Sequence, residues 1–114
     1  MIFVIDDNKM MAECVAKACG ERKVRIFGDA IAATRALGDG LPEMIFMDVM
    51  LTGPDCFTML NELISYSDTM KIPVVLVTAT RLNGFDLSEY GVVGVLDKDT
   101  MTPAEVRGYV EKYC

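Results

Sequence analysis

Ile2-Phe3-Val4-Ile5-Asp6-Asp7-Asn8 is an unbroken apolar run ended by two acids and an amide, and Met44-Ile45-Phe46-Met47-Asp48 repeats the design. A run this short, with no polar alternation, suits a strand covered on both faces, as in a parallel sheet. Ile72–Val77 and Val92–Leu96 read the same way. In Lys23–Phe27, Val24 and Ile26 alternate with charged residues, which predicts an edge strand with one wetter face.

Helical patterns separate these runs. Met11, Cys14, Val15 and Ala18 fall at i, i+3, i+4 and i+7, and Gly20 is placed to stop the helix. Asp29 stands as an N-cap ahead of a weaker stripe, Ala30, Ala33 and Leu37, with Gly38 after it. Phe57, Leu60 and Ile64 mark a third helix. Thr102-Pro103-Ala104-Glu105 is a capping box with proline at the first helical position, followed by the stripe Val106, Tyr109, Val110 and Tyr113. Arg81–Tyr90 should hold a further helix, but Gly84 and a thin apolar stripe predict a short, irregular or mobile one. The order is strand then helix, five times over residues 1–114, in one domain. Such units force parallel strands with helices on both faces, and the sheet binds ligands beyond the carboxyl ends of its strands.

Composition excludes several classes. Seventeen acids against eleven bases give a formal charge of −6, which argues against direct nucleic-acid binding. The four cysteines form no CxxC pair and the chain has no histidine, so a zinc site is not expected. With 52% hydrophobic residues a core forms without disulfides, and the cysteines are read as free thiols. The nine methionines are read as core filler. Met1 runs straight into the first strand, so no signal peptide is expected, and no apolar run approaches the ~20 residues of a membrane span. A cytoplasmic location with no membrane contact is expected.

Chemistry gathers where the strands end. Asp6-Asp7-Asn8 follow the first, Asp48 the third, Thr78 the fourth and Lys98 the fifth. Each has a plainer reading alone: a helix cap, a turn residue, a strand residue, a solvated charge. Together they put three carboxylates, a hydroxyl and an ammonium in one pocket. Two like charges ~4 Å apart repel by about 4 kcal/mol at an effective dielectric near 20, so clustered carboxylates call for a cation. Hard oxygen ligands favour Mg²⁺ or Mn²⁺. Asp48 is then a candidate nucleophile toward phosphorus, with the metal, Lys98 and Thr78 sharing the phosphoryl oxygens.

The stretches Ile5-Asp6-Asp7-Asn8, Met47-Asp48-Val49-Met50-Leu51, Val77-Thr78-Ala79 and Leu96-Asp97-Lys98 resemble, in order, the motifs of receiver domains of two-component response regulators. The resemblance covers essentially the whole chain. It implies a three-layer (βα)5 flavodoxin-like fold, CheY-like, with a parallel five-stranded sheet in the order 2-1-3-4-5. It implies that Asp7 and Asp48 bind Mg²⁺ directly with the Met50 backbone carbonyl, while Asp6 acts largely through water. It implies that Asp48 accepts phosphate from a sensor histidine kinase, a phosphotransfer protein or a small phosphodonor, with Thr78 and Lys98 assisting. Such a domain is a phosphoacceptor rather than an enzyme. It signals to a downstream protein through the face from Arg81 to Cys114, made by the fourth helix, fifth strand and fifth helix.

Departures from the family pattern bear on signalling. Lys98 precedes Asp99 where the family usually has a cis proline, so a trans bond and a differently shaped loop are expected. Val95 replaces the usual switching aromatic, and Thr52 and Cys56 stand where proline and glycine are common. Met50 offers a hydrolytic water no strong hydrogen bond, which predicts a long-lived phosphoryl-aspartate. A phosphorylation-independent pseudo-receiver, acting as a protein-interaction module, is the alternative. A flavodoxin-like cofactor carrier is disfavoured because Asp6-Asp7 would repel phosphate, and an aspartate-based phosphatase because Asn8 breaks the DxD pair.

Overall fold

A computed structural model describes residues 1–50, 56–79 and 87–114. The elements run β1 (Ile2–Ile5), α1 (Lys9–Ala18), β2 (Val24–Phe27), α2 (Ala30–Ala36), β3 (Met44–Asp48), α3 (Cys56–Ile64), β4 (Val74–Thr78), β5 (Val92–Asp97) and α4 (Pro103–Tyr113). The expected helix within Arg81–Tyr90 falls mostly outside the described residues; its described end is a single 3-10 turn, Ser88–Tyr90. All strand pairs are parallel and the order is β2-β1-β3-β4-β5, as the resemblance implied.

The unbroken apolar runs work because successive side chains leave opposite faces of the sheet. Phe3, Ile5, Ile45, Met47, Val74 and Leu76 pack with α2 and α3, whereas Ile2, Val4, Met44, Phe46, Val75 and Val77 pack with α1 and α4. Every residue of β1, β3 and β4 is buried. Truncating one large member, such as Phe46→Ala, should cost about 3–5 kcal/mol. Strand β4 starts two residues later than the sequence suggests; Pro73 has no N–H for the ladder, though its carbonyl accepts from Ile45.

Strand β5 departs from its expected burial. Its apolar run reads like that of β1, yet only Leu96 is buried and Val95 is 44% exposed. Position explains this: β5 ends the sheet, pairs on one side only, and shifts register against β4 between Val74 and Val75. On the opposite edge, β2 is only partly buried, as an edge strand should be, but its alternation is inverted: apolar Ile26 is the exposed residue, while Arg25 is half-buried over the Phe3 and Phe27 rings.

The helix ends match their signals except at the end of α2, where a 3-10 turn, Leu37–Asp39, carries the chain through Gly38 to Gly40. Asn8 and Asp29 cap α1 and α2 by accepting from Met11 and Ala32, Gly20 leaves α1 at φ 75°, and the Thr102/Glu105 capping box starts α4. The stripe of α1 is rotated from expectation: Ala12, Val15 and Ala18 are buried, while Cys14 is exposed. Small Ala12 lets the helix lie close to the sheet, a position the larger apolar residues concealed. The methionines also divide: Met44, Met47 and Met59 fill the core, whereas Met10, Met50 and Met70 are exposed. Among the described residues no helix is long and apolar enough to cross a membrane.

Candidate metal and phosphoryl site

The pocket lies at the carboxyl ends of β1, β3, β4 and β5. Carboxylate oxygens of Asp6, Asp7 and Asp48 lie within 4.8 Å of one another; Asp6 and Asp48 are buried and Asp7 is exposed. Lys98 reaches in from the end of β5, its Nζ 3.1 Å from Asp48 Oδ2 and 3.2 Å from Asp6 Oδ2. Thr78, buried, ends β4 beside Asp48, whose register partner is Val77. Its carbonyl accepts the Lys98 backbone N–H at 2.9 Å.

One local device aims the carboxylates. Asp6 Oδ1 accepts the Asn8 backbone N–H at 2.9 Å, and Asp48 Oδ1 accepts that of Met50 at 3.0 Å. These i to i+2 bonds are Asx turns, in which aspartate satisfies the backbone where a strand ends. With Oδ1 fixed locally, Oδ2 of each is the oxygen that meets Lys98. Sequence reasoning named the acids but not this division of their oxygens.

Electrostatics follow from burial. Desolvation holds the Asp6 carboxyl above its ordinary 3.8; hydrogen bonds from Asn8 and Lys98 oppose this, and the Asp48 charge adds to it. Burial would lower the Lys98 ammonium, but hydrogen bonds to Asp48 and Asp6 and their charges outweigh it, holding Lys98 above 10.5. Three carboxylates against one ammonium leave a negative, oxygen-rich pocket that fits a hard divalent cation. The Lys98–Asp99 bond is trans, as expected, since the described residues contain no cis peptide. Thr52 lies outside the described residues; Cys56 is fully buried at the start of α3.

No protein-family model and no curated protein matches the chain. Solved structures do match. The receiver domain of NtrX from Brucella abortus superposes with a TM-score of 0.85 at 23% identity, over 99% of this chain and 97% of that one. A CheY-like response regulator receiver domain protein from Methanospirillum hungatei JF-1 gives 0.84 at 14% identity, over 97% and 90%. The response regulator TrrA from Thermotoga maritima, solved in complex with Mg²⁺-BeF, gives 0.83 at 17%, over 99% and 97%. The fold is that of a response-regulator receiver domain. Within this receiver fold, four of the predicted residues, Asp6, Asp7, Asp48 and Lys98, converge directly. Thr78 stands next to them at its strand end, and Met50 joins through its backbone N–H to Asp48.

Proposed function

We propose that this chain is a phosphoacceptor in two-component phosphorelay signalling. The observation that carries the reading is the buried Asp48 carboxylate, 3.1 Å from the Lys98 ammonium and within 4.8 Å of the Asp6 and Asp7 oxygens. Asp7 and Asp48, with the Met50 carbonyl, would hold Mg²⁺ or Mn²⁺ directly, and Asp6 through water. The ion, when bound, supplies positive charge against the carboxylates and the phosphoryl oxygens. The metal complex of TrrA, on the same fold, supports this choice of ion.

The residues' own tasks follow from their chemistry. Asp48, its Oδ1 held by the Met50 N–H, presents Oδ2 as nucleophile. An O–P bond forms as the bond from phosphorus to its leaving group breaks, releasing imidazole from a phosphohistidine or acetate from acetyl phosphate. Lys98 neutralises one phosphoryl oxygen and the Thr78 hydroxyl donates to another. The donor is a sensor histidine kinase, a phosphotransfer protein or a small phosphodonor. The output is contact with a downstream protein through the face expected over Arg81–Cys114, of which residues 81–86 lie outside the described residues. The chain thus assists its own phosphorylation and dephosphorylation without turning over a separate substrate, in the cytoplasm.

Intact mass after treatment with acetyl phosphate and Mg²⁺ tests this. Wild type should gain one phosphoryl group and Asp48→Asn none; equal gain by both overturns the assigned acceptor. Exposed Val95, an aliphatic residue where receivers usually carry a switching ring, favours the second reading, a pseudo-receiver that binds partners without phosphate. No mass gain by wild type, together with no binding of beryllofluoride, selects it.

A further inference from the structure

The Asx turns of Asp6 and Asp48 have a third counterpart outside the acidic cluster. Asp97, the last residue of β5, accepts the Asp99 backbone N–H on Oδ1 at 2.8 Å. Its carbonyl accepts from Thr100 at 3.2 Å and from Met101 at 2.7 Å. Asp97 pairs with Thr78 across the sheet, and the next residue, Lys98, donates its backbone N–H to the Thr78 carbonyl. Lys98 is therefore fixed by β4 before it and by the Asp97 turn after it. No proline ring is present to set this loop, since Asp99 follows the lysine.

We infer that Asp97 is a positioning residue for the phosphoryl site: its side-chain turn replaces a rigid proline loop and aims Lys98 Nζ between Asp48 and Asp6. The inference rests on the phosphoacceptor reading. Asp97 is itself exposed, so removing its carboxylate leaves the core intact, and its carbonyl bonds survive any side-chain change. Only the Asp99 N–H is released, giving Lys98 more orientations than the one that spans the two carboxylates. Asparagine keeps the Oδ1 acceptor and loses the charge, so it separates geometry from electrostatics.

The test compares wild type, Asp97→Ala, Asp97→Asn, Lys98→Ala and the double variant Asp97→Ala/Lys98→Ala. Two quantities are read: Mg²⁺-dependent beryllofluoride affinity, by fluorine NMR, and the phosphorylation rate with acetyl phosphate. Asp97→Ala should weaken both about fivefold, the effect of one net hydrogen bond, while Asp97→Asn stays near wild type. In the Lys98→Ala background Asp97→Ala should change neither, because a residue acting through Lys98 has nothing left to position. Equal loss with and without Lys98, or a full loss in Asp97→Asn, overturns the inference. Wild type that binds no beryllofluoride and takes no phosphate instead overturns the phosphoacceptor reading beneath it.

Discussion

Lys98 Nζ bridges two buried carboxylates, lying 3.1 Å from Asp48 and 3.2 Å from Asp6. Lys98 thereby neutralises, in the absence of metal, the charge that a cation would otherwise meet. Lys98→Met keeps an unbranched side chain one atom shorter and removes the charge, leaving both acids buried without their counter-charge. Breaking such a pair from one side should cost about 3 kcal/mol. Urea denaturation at neutral pH in EDTA measures it, and Mg²⁺ should recover part of the loss. An unchanged midpoint would mean that the bridge does not form in solution.

Burial of Asp6 and the bridge to Lys98 each give stability a pH dependence of definite sign. Asp6 titrates above 3.8 in the folded chain, so between 3.8 and its raised value the native state holds more protons than the unfolded one. Stability from this group therefore falls as pH rises through that window, and is greatest below it. Lys98, raised above 10.5, contributes stability that is full below 10.5 and lost as pH rises through its folded value. Urea midpoints in EDTA, compared with Asp6→Asn, should lose the acidic-side slope in the variant. A slope that survives in Asp6→Asn belongs to another group.

What was legible in the chain depended on whether its cause was local. Capping at Asn8, Asp29 and Thr102 is decided within one helical turn; Asp29 and Thr102 were visible in the sequence as caps, and Asn8 only as one of the triplet Asp6-Asp7-Asn8. The short apolar runs declared buried parallel strands for β1, β3 and β4, because no other element buries consecutive residues on alternate faces. Val92–Leu96 carries the same pattern but sits at an edge; hydrophobicity alone does not encode how many neighbours a strand has. The site acids and Lys98 were found because the strand ends of such a sheet converge. The Asx turns were not, since an aspartate followed two residues later by any N–H is too common a pattern to signal one. The role of Asp97 is of this second kind.

Gly94 was read only as part of a strand, yet a Cβ there would collide with the Tyr109 hydroxyl and ring. The tyrosine, stacked on Tyr113 with ring centroids 6.4 Å apart, lies over the bare backbone of β5. Gly94→Ala should destabilise the fold by about 1–3 kcal/mol, the usual cost of overpacking. The same change made with Tyr109→Ala should cost far less than it does alone, because the colliding ring is gone. Thermal or urea denaturation of the four proteins decides it; additive losses would place the strain elsewhere.

Met50 is held at the pocket by its backbone, through the N–H donated to Asp48, while its side chain is 68% exposed. The exposed thioether is a weak acceptor and no donor, so it orients no water toward the phosphoryl group. Hydrolysis of the acyl phosphate should therefore be slow. Met50→Asn places an amide at the same position, able both to donate to and accept from an attacking water. Loss of radiolabel from the phosphoprotein should be about fivefold faster in Met50→Asn, the gain of one net hydrogen bond. Because the Met50 N–H to Asp48 is a backbone contact, the substitution leaves it in place, and the phosphorylation rate should change much less than the hydrolysis rate. Equal rates of label loss in the two proteins would show that the residue after Val49 does not limit the water.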